Sequence, residues 1–244
     1  MKDVLQRVSA CGVVIDPEGA VRLETYCRLV QEWSERAGLV SPNDLQEFAG
    51  KHVAASLGPL LVAPVRADSN WVDVGSGAGL PGMVIKICRP ELEMTLIDSS
   101  RKKTIFLEGV RDRLGMNGLR VLQARVESVV WGESGDVVPG HPALARASTT
   151  LEPGRPYDVV LMRAVAPLAR SLPLLNGIAA SGCRLVTFKG ASWRSEVEAA
   201  RVQMEQTGWV LVEARQIPWA APKLLVLERH QSLPNVSRET SEPR

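Results

Sequence analysis

The chain has 244 residues, 45% of them hydrophobic and 23% charged, and its formal net charge at pH 7 is +2. This length and apolar share allow a substantial core, which excludes a disordered, collagen-like or coiled-coil protein. Because no apolar run approaches the ~20 residues of a membrane helix and no signal segment is readable at the N-terminus, we expect a cytoplasmic protein without a membrane partner. The four cysteines form no CxxC pair, so we expect buried thiols and no metal site.

Residues 1–69 are predicted to form an N-terminal helical extension. Between Val21 and Trp33, apolar residues recur at three- and four-residue spacing, as they do on one face of an amphipathic helix. A second helix is predicted to begin at Ser41-Pro42, where a capping residue precedes a proline, and to continue to about Leu57.

From Trp71 onwards, short apolar segments alternate with charged segments of helix length. The predicted strands are Trp71–Val74, Met94–Ile97, Leu119–Leu122, Val159–Met162 and Arg184–Phe188. The predicted helices between and after them are Pro81–Cys88, Arg101–Leu114, Pro167–Ala179 and Ser192–Thr207. This alternation is typical of a parallel sheet that is flanked by helices.

Two more strand-like runs, Trp209–Arg215 and Lys223–Glu228, follow without a helix between them. They are predicted to pair as an antiparallel hairpin at the edge of the sheet, which gives one α/β domain of seven strands over residues 70–230. Residues 132–156 are rich in Gly, Pro, Ser and Ala and are predicted to be a flexible loop insertion. Residues 231–244 are polar and are predicted to be a disordered tail.

The most informative segment of the sequence is Val72-Asp73-Val74-Gly75-Ser76-Gly77-Ala78-Gly79-Leu80-Pro81-Gly82. Its glycines let the backbone turn tightly and approach a ligand. The third glycine comes one residue too early for G-x-G-x-x-G, and no Gly-Lys-Ser/Thr ending is present, which excludes a P-loop. An acidic residue followed by G-x-G-x-G resembles the first motif of Rossmann-like S-adenosylmethionine-dependent methyltransferases. A tight strand-to-helix turn without a ligand is the alternative.

Two more positions are candidate cofactor contacts. Asp98 ends the second predicted strand, where a carboxylate can accept hydrogen bonds from both ribose hydroxyls. Val126 and Glu127 follow the third strand, where such enzymes contact the adenine. The alternatives are that Asp98 caps the helix that begins near Arg101, and that Glu127 is a solvated charge at a helix start.

The segment after the fourth predicted strand has no Asp/Asn-Pro-Pro-aromatic motif, which enzymes acting on exocyclic amines tend to have. Cys183 lies at the far end of its strand from the loops and is badly placed for a thiolate nucleophile, and Lys189 alone does not supply the base set of ribose methylation. A lone pair that needs no deprotonation, such as that of guanine N7, fits these residues better. Arg163 and Lys189 are the candidate catalytic residues, and Arg163 is also a candidate contact of the cofactor carboxylate.

In chain order, these motifs resemble the bacterial small-subunit (16S) ribosomal RNA guanine-N7 methyltransferase family, also called glucose-inhibited division protein B. The similarity covers about residues 20–228 and includes His52-x-x-x-Ser56-Leu57, Arg125-Val126-Glu127, Arg163-Ala164 and Phe188-Lys189-Gly190. The resemblance implies a Rossmann-like fold, S-adenosylmethionine as methyl donor, and one guanine of the small-subunit RNA as substrate. It implies cofactor contacts at Gly75, Leu80, Val126, Glu127 and Arg163, to which the glycine loop adds Gly77.

Seven cationic residues between positions 101 and 125 suit a surface that follows RNA phosphates, although a solvated helix face would look the same. We assign RNA binding to Arg101, Lys102 and Lys103, and also to His52, for which a packed histidine is the alternative. We expect a monomer that acts on ribosomal RNA within a ribosomal particle. The competing hypotheses are a methyltransferase of the same fold that acts on a small molecule or protein, and a non-catalytic module that binds the cofactor or RNA.

Overall fold

The computed structural model describes residues 1–63, 65–66, 69–131, 137–139 and 156–230. The strands in this part of the chain are β1 (Asn70–Val74), β2 (Glu93–Asp98), β3 (Leu119–Gln123), β4 (Val129–Trp131), β5 (Val137–Pro139), β6 (Tyr157–Met162), β7 (Ala179–Lys189), β8 (Trp209–Gln216) and β9 (Lys223–Arg229). Seven of them form one sheet in the order β3-β2-β1-β6-β7-β9-β8.

The helices surround this sheet. They are α1 (Lys2–Ser9), α2 (Pro17–Ala37), α3 (Pro42–Gln46), α4 (Ala54–Ser56), α5 (Gly82–Cys88), α6 (Arg101–Leu114), α7 (Leu168–Leu174), α8 (Trp193–Ala199) and α9 (Arg201–Thr207). A π-helical segment (Phe48–Val53) joins α3 to α4, and single 3₁₀ turns cover Gly58–Leu61 and Val126–Ser128.

The sheet confirms the predicted α/β class. Strand β1 pairs in parallel with β2 and β6, β2 pairs in parallel with β3, and β6 pairs in parallel with β7. The last two strands form the predicted edge hairpin, since β9 is antiparallel to both β7 and β8. All the parallel strands therefore end at one edge, which is where open α/β sheets bind their ligands.

Hydrophobic side chains cover both faces of the sheet. One buried cluster joins the N-terminal helices to the sheet and includes Val8, Tyr26, Leu96 and Phe106. The cluster on the other face includes Leu172 of α7. The N-terminal helices thus share their core with the strands that carry the glycine loop.

Local sequence explains where the N-terminal helices begin and end. The carboxylate of Asp16 accepts a hydrogen bond from Gly19 N at 2.6 Å and caps α2, with Pro17 at the first helical position. Gly38, with φ of 61°, ends α2 in the left-handed conformation. The predicted cap at Ser41 is confirmed, because its Oγ accepts from Asp44 N at 3.2 Å. The predicted continuous helix to about Leu57 is wrong, because the π-helical segment interrupts it.

Other boundaries also differ from the prediction. The helix predicted over Pro167–Ala179 ends at Leu174, and Ala179 already belongs to β7, because the turn-forming pair Asn176-Gly177 separates the helix from the strand. The helix predicted over Ser192–Thr207 divides into α8 and α9 at the buried Ala200. Helix α1 was not predicted, because its two buried residues stand out only once they pack. Two of the four cysteines, Cys11 and Cys27, are only partly buried.

Part of the predicted insertion lies within the described residues. There, β4 pairs antiparallel with β5, so Val137–Pro139 form a short ladder instead of a loop. Residues 132–136 and 140–155 of the predicted insertion region lie outside the described residues, and so does the predicted tail, residues 231–244. Among the described helices, none is both long enough and apolar enough to span a membrane.

Candidate active site

The glycine loop follows β1 and is hydrogen-bonded to β2. Gly75 N and Ser76 N donate to Ile97 O at 2.8 and 3.0 Å. Gly75 and Gly77 have φ of 71° and 57°, in the left-handed region that residues with a Cβ rarely adopt. A Cβ at Gly75 would also lie 2.6 Å from Val165 Cγ2, in the loop between β6 and α7. The glycine loop therefore needs glycine for its backbone conformation and for its close approach to the loop between β6 and α7.

Asp73 lies beneath the glycine loop and is fully buried. Its Oδ2 accepts a hydrogen bond from Gly82 N at 2.8 Å, at the start of α5. Its Oδ1 is buried and has no hydrogen-bond partner among the described residues. Burial raises the pKa of Asp73 to about 7, against the opposing effects of the Gly82 hydrogen bond and the Arg163 charge. The site thus contains a carboxyl group with one unused oxygen and a proton that exchanges near neutral pH.

Asp98 joins the glycine loop to the end of β2. Its Oδ2 accepts from Gly77 N and its Oδ1 from Ser100 N, both at 2.8 Å. Ser100 occupies the capping position of α6, so Asp98 is not that helix's cap. Ala124 N donates to Asp98 O at 3.1 Å, which places the following Val126–Ser128 turn beside β2.

The remaining predicted cofactor contacts differ in exposure. Leu80 is half-buried and precedes Pro81 through a cis peptide bond at the start of α5. Val126 is buried, whereas Glu127 is exposed and its nearest cation is Arg125, at 3.9 Å. The Val126 side chain is therefore packed inside the protein, whereas the Glu127 side chain faces solvent.

Tyr26 supports the glycine loop from the N-terminal helices. Its hydroxyl donates to Ala78 O at 2.7 Å, and its ring centroid lies 5.9 Å from that of Phe48. Burial raises the pKa of Tyr26 well above its ordinary value, so the hydroxyl stays protonated and remains a donor. Helical spacing places Tyr26 on the apolar face of α2, but no sequence signal indicates this contact of its hydroxyl.

Arg163 follows β6 and connects the end of the sheet to the N-terminal helices. Its Nη2 lies 2.7 Å from His52 Nδ1, and its Nη1 donates to His52 O at 3.3 Å and to Ser56 Oγ at 3.2 Å. The guanidinium carbon stands 5.4 Å from the ring centroid of Phe188, a cation–π distance. The guanidinium is thus held on several sides at the ligand-binding edge.

His52 lies beside Arg163, and its side chain is 16% exposed. Its Nε2 is 3.1 Å from Asp44 Oδ1, and its ring centroid is 6.1 Å from that of Phe48. Burial lowers the pKa of His52, although Asp44 opposes this effect. The structure therefore places His52 against the site's arginine, with little of its ring open to solvent.

Lys189 ends β7, and its ammonium lies 2.6 Å from Glu196 Oε1. The same oxygen accepts from Leu168 N at 2.9 Å, so Glu196 fixes Lys189 to the start of α7. Cavities of about 540 Å³ each border the loop after β6. One includes Lys189 and Pro167 in its lining, and the other includes Arg163. The two predicted catalytic cations therefore border different cavities at this edge.

The three basic residues predicted to bind RNA, Arg101, Lys102 and Lys103, form the first turn of α6, directly after Ser100. This turn contains no acidic residue, and none of the three cations has an ion-pair partner in the described ranges. Cations at a helix N-terminus oppose the helix dipole, which favours anions there. The turn is therefore a concentration of positive charge next to Asp98 and has no compensating carboxylate of its own.

The chain is similar to one family of known proteins. The family model of GidB, described as rRNA small subunit methyltransferase G, matches residues 20–218. Ribosomal RNA small subunit methyltransferase G of Symbiobacterium thermophilum is 34% identical over 215 residues, which cover 86% of this chain and 80% of that protein. The protein of the same name from Roseiflexus sp. (strain RS-1) is 31% identical over 229 residues, or 93% of this chain and 90% of that protein.

Solved structures share the architecture at low sequence identity. A mutant of MtNAS in complex with S-adenosylmethionine has a TM-score of 0.53 at 12% identity, over 88% of this chain and 77% of that chain. TrmN from Thermus thermophilus has a TM-score of 0.51 at 16% identity, over 72% of this chain and 48% of that chain. This likeness shows the Rossmann-like fold alone. From the family match and the relatives above 30% identity, we conclude that the chain belongs to the rRNA small subunit methyltransferase G family.

Proposed function

We propose that this protein transfers the methyl group of S-adenosylmethionine to N7 of a specific guanine in small-subunit (16S) ribosomal RNA. The observation that carries the proposal is the hydrogen bond between Asp98 and Gly77 N, which joins the two predicted cofactor contacts at the ligand-binding edge. The names of the family and of its relatives supply the substrate RNA. We place the reaction in the cytoplasm.

The residues present fit S-adenosylmethionine. The Asp73 carboxyl, buried beneath the glycine loop, would when ionised attract a cationic ligand above the loop through its charge. The absence of a Cβ at Gly75 leaves the space in which the loop approaches Val165. Asp98 would bind the ribose hydroxyls and Val126 the adenine, while Arg163 would bind the carboxylate of the methionine part. When bound, the cofactor supplies an electrophilic methyl group on a sulfonium.

The protein groups at this edge favour a methyl acceptor atom from which no proton has to be removed. Lys189 is bound to Glu196 and is a poor free base. Cys183 is fully buried, and burial raises the pKa of its thiol to about 12, so it is no thiolate nucleophile. Guanine N7 has a free lone pair at neutral pH, so the task of the site is alignment and exclusion of water. In this proposal Arg163 aligns the donor through its carboxylate, and Lys189 orients the guanine.

The basic first turn of α6, at Arg101, Lys102 and Lys103, would bind RNA phosphates beside the cofactor site. These cations at a helix N-terminus have no ion-pair partner among the described residues, which supports this role, because an anionic partner would offset their repulsion by the helix dipole. His52 would line the same RNA-facing edge. Recognition of one guanine in folded RNA depends on shape and unstacked bases, so we propose a ribosomal particle as substrate and a monomeric enzyme.

Mass spectrometry of nucleosides tests this function. Small-subunit particles and their RNA are incubated with the protein and labelled S-adenosylmethionine, and the RNA is digested. We expect label in 7-methylguanosine, with lower turnover in folded Arg163→Ala and Lys189→Ala. Arg201→Ala is the matched control, because the ion pairs of this exposed residue of α9 in the described part of the chain are with Glu198 and Glu205. Label in methylated cytosine, adenine or ribose, or in protein alone, would contradict the proposal, as would binding of donor and RNA without transfer.

A further inference from the structure

Arg163 is held by a side chain that must be unprotonated on the atom facing it. A guanidinium has only donors, so the 2.7 Å contact between Arg163 Nη2 and His52 Nδ1 requires Nδ1 to accept. His52 is therefore neutral and carries its proton on Nε2. That nitrogen lies 3.1 Å from Asp44 Oδ1 without hydrogen-bond geometry, so Asp44 acts on the ring through its charge.

Asp44 is itself fixed in place. Its Oδ2 accepts from Ser41 Oγ at 2.8 Å, and its Oδ1 accepts from Lys51 Nζ at 2.9 Å. The Lys51 hydrogen bond holds the pKa of Asp44 well below its ordinary value, so the carboxylate is ionised throughout the range in which a histidine titrates. The cap of α3 and the π-helical segment thus present a carboxylate to the outer side of the imidazole.

The π-helical segment also supplies the backbone part of this arrangement. His52 O accepts from Arg163 Nη1 at 3.3 Å and from Ser56 Oγ at 2.7 Å, and Ser56 Oγ accepts in turn from Arg163. Irregular π-helical turns occur frequently at functional sites. Here the segment aims both the carbonyl and the ring of one residue at the same guanidinium.

We propose that His52 is a positioning residue that holds the Arg163 guanidinium at the cofactor edge while it is neutral, that protonation of His52 releases the guanidinium, and that Asp44 sets the pH of this release. A protonated ring would place two cations 2.7 Å apart with donors facing each other. The proposal rests on the role of Arg163 in the proposed function. Neither Asp44 nor His52 touches the reacting atoms in this scheme.

The charged groups around His52 are consistent with a ring that is neutral at pH 7 and becomes protonated on acidification. Asp44 on α3 favours the protonated ring, whereas burial, Arg163 after β6 and Lys51 on the π-helical segment oppose it. Glu47 lies 3.9 Å from Lys51 and exerts its effect there. The net effect of these groups is a pKa of His52 below its ordinary 6.5. The contact between His52 and Arg163, which we call the latch, is therefore closed at neutral pH and opens on acidification.

NMR of the full chain with ¹⁵N-labelled histidine tests the latch without any substrate. The chain has three histidines, and His52→Ala identifies the signal of interest. We expect the Nε2-protonated neutral form at pH 7.5 and a titration midpoint below 6.5. Asp44→Asn should lower that midpoint by about 1 pH unit, because it removes an adjacent opposite charge. Glu47→Gln is the matched control and should leave the midpoint of His52 unchanged.

Single-turnover methyl transfer at saturating donor and RNA supplies the second readout. The rate should fall about 10-fold at one pH unit below the NMR midpoint, and Asp44→Asn should move this acid limb together with the midpoint. A charged His52 or an Nδ1-protonated form at pH 7.5, or an acid limb that stays in place when the midpoint moves, overturns the latch. Failure of the wild-type protein to methylate any RNA overturns the proposed function instead. The NMR titration needs no RNA, so it then decides by itself whether the latch exists.

Discussion

The carboxylate of Asp98 accepts from two backbone N–H groups, and a bound ribose would compete with Gly77 N for one of its oxygens. We predict that Asp98→Ala weakens S-adenosylmethionine binding by about 1–3 kcal/mol, the range for loss of a charged hydrogen-bond partner. Asp98→Asn should have a smaller effect, because the amide oxygen still accepts. Isothermal titration calorimetry measures both variants.

The matched control for Asp98 is Asp112→Ala on the exposed face of α6. The Asp112 carboxylate contacts the neighbouring Arg111 at 2.8 Å and lies in the last turn of that helix. We expect wild-type affinity for this variant. Wild-type affinity in a folded Asp98→Ala protein would show that the ribose lies elsewhere.

Asp73 links cofactor binding to the proton concentration. Its carboxyl group in the free protein has a pKa of about 7, raised by burial. The sulfonium and ammonium of S-adenosylmethionine favour the ionised carboxylate, so binding should lower this pKa and release a proton at pH 7. Affinity should accordingly decline as the pH falls below 7, where the bound state must lose a proton that the free state keeps.

Calorimetry in two buffers with different ionisation enthalpies counts this proton. The wild-type protein should release a fraction of one proton at pH 7, and Asp73→Asn, which has no proton to lose, should release none from this site. Equal proton release by the two proteins would assign the effect to another group. His52 is distinguishable because its titration lies at lower pH.

Among the elements, the glycine loop and α6 differ in the space that they leave for the side-chain methyl group added by a Gly→Ala substitution. Gly75→Ala should destabilise the loop and weaken cofactor binding, because its Cβ would lie 2.6 Å from Val165 Cγ2 and its φ is 71°. The second substitution Val165→Ala should restore only the part of the loss that comes from the steric contact. Gly109→Ala is the control: apart from its own helix backbone and chain neighbours, no atom of the described residues lies within 4 Å of its added Cβ, and it should raise stability by about 0.5–1 kcal/mol.

Thermal unfolding with and without S-adenosylmethionine separates these effects. Gly75→Ala should lose both stability and the ligand-induced increase in the melting temperature, whereas Gly109→Ala should gain stability and keep that increase. A Gly75→Ala protein that binds the cofactor normally would mean that the loop moves freely away from Val165.

Elements with a strong local signal were predictable, and their partners were not. Helix α6 begins and ends where the sequence predicts it, and Asp98 ends β2 as predicted. The contacts of Arg163 with His52 join residues 111 positions apart, and no local pattern encodes such a pairing. The same limit hid the hydroxyl contact of Tyr26 with Ala78, which is 52 positions away. The pairing of Lys189 with Glu196 spans only seven positions, but it depends on the turn that joins β7 to α8.

For the whole molecule, RNA affinity should depend on salt in proportion to the phosphates that it neutralises. Replacing Arg101, Lys102 and Lys103 together by Ala should reduce the slope of log affinity against log salt by about 0.7–0.9 for each lost phosphate contact. Arg201→Ala on α9 should leave the slope unchanged. Fluorescence anisotropy with a long small-subunit RNA fragment measures the slope, and an unaltered slope in the triple variant would remove the basic turn of α6 from the interface.

The loop between β8 and β9 has a further consequence for how the protein is made. Trp219 Nε1 donates to Ala54 O across 165 positions, and a Cβ at Gly58 would meet Ile217 Cδ1 at 2.7 Å. A segment synthesised late thus covers helices that were synthesised early. Until residue 219 is available, the nascent chain carries these helices with part of their apolar surface uncovered, and such long-range closure slows folding. A ribosome that stalls before the last hairpin therefore releases a chain in which α4 and the Gly58–Leu61 turn lack this cover.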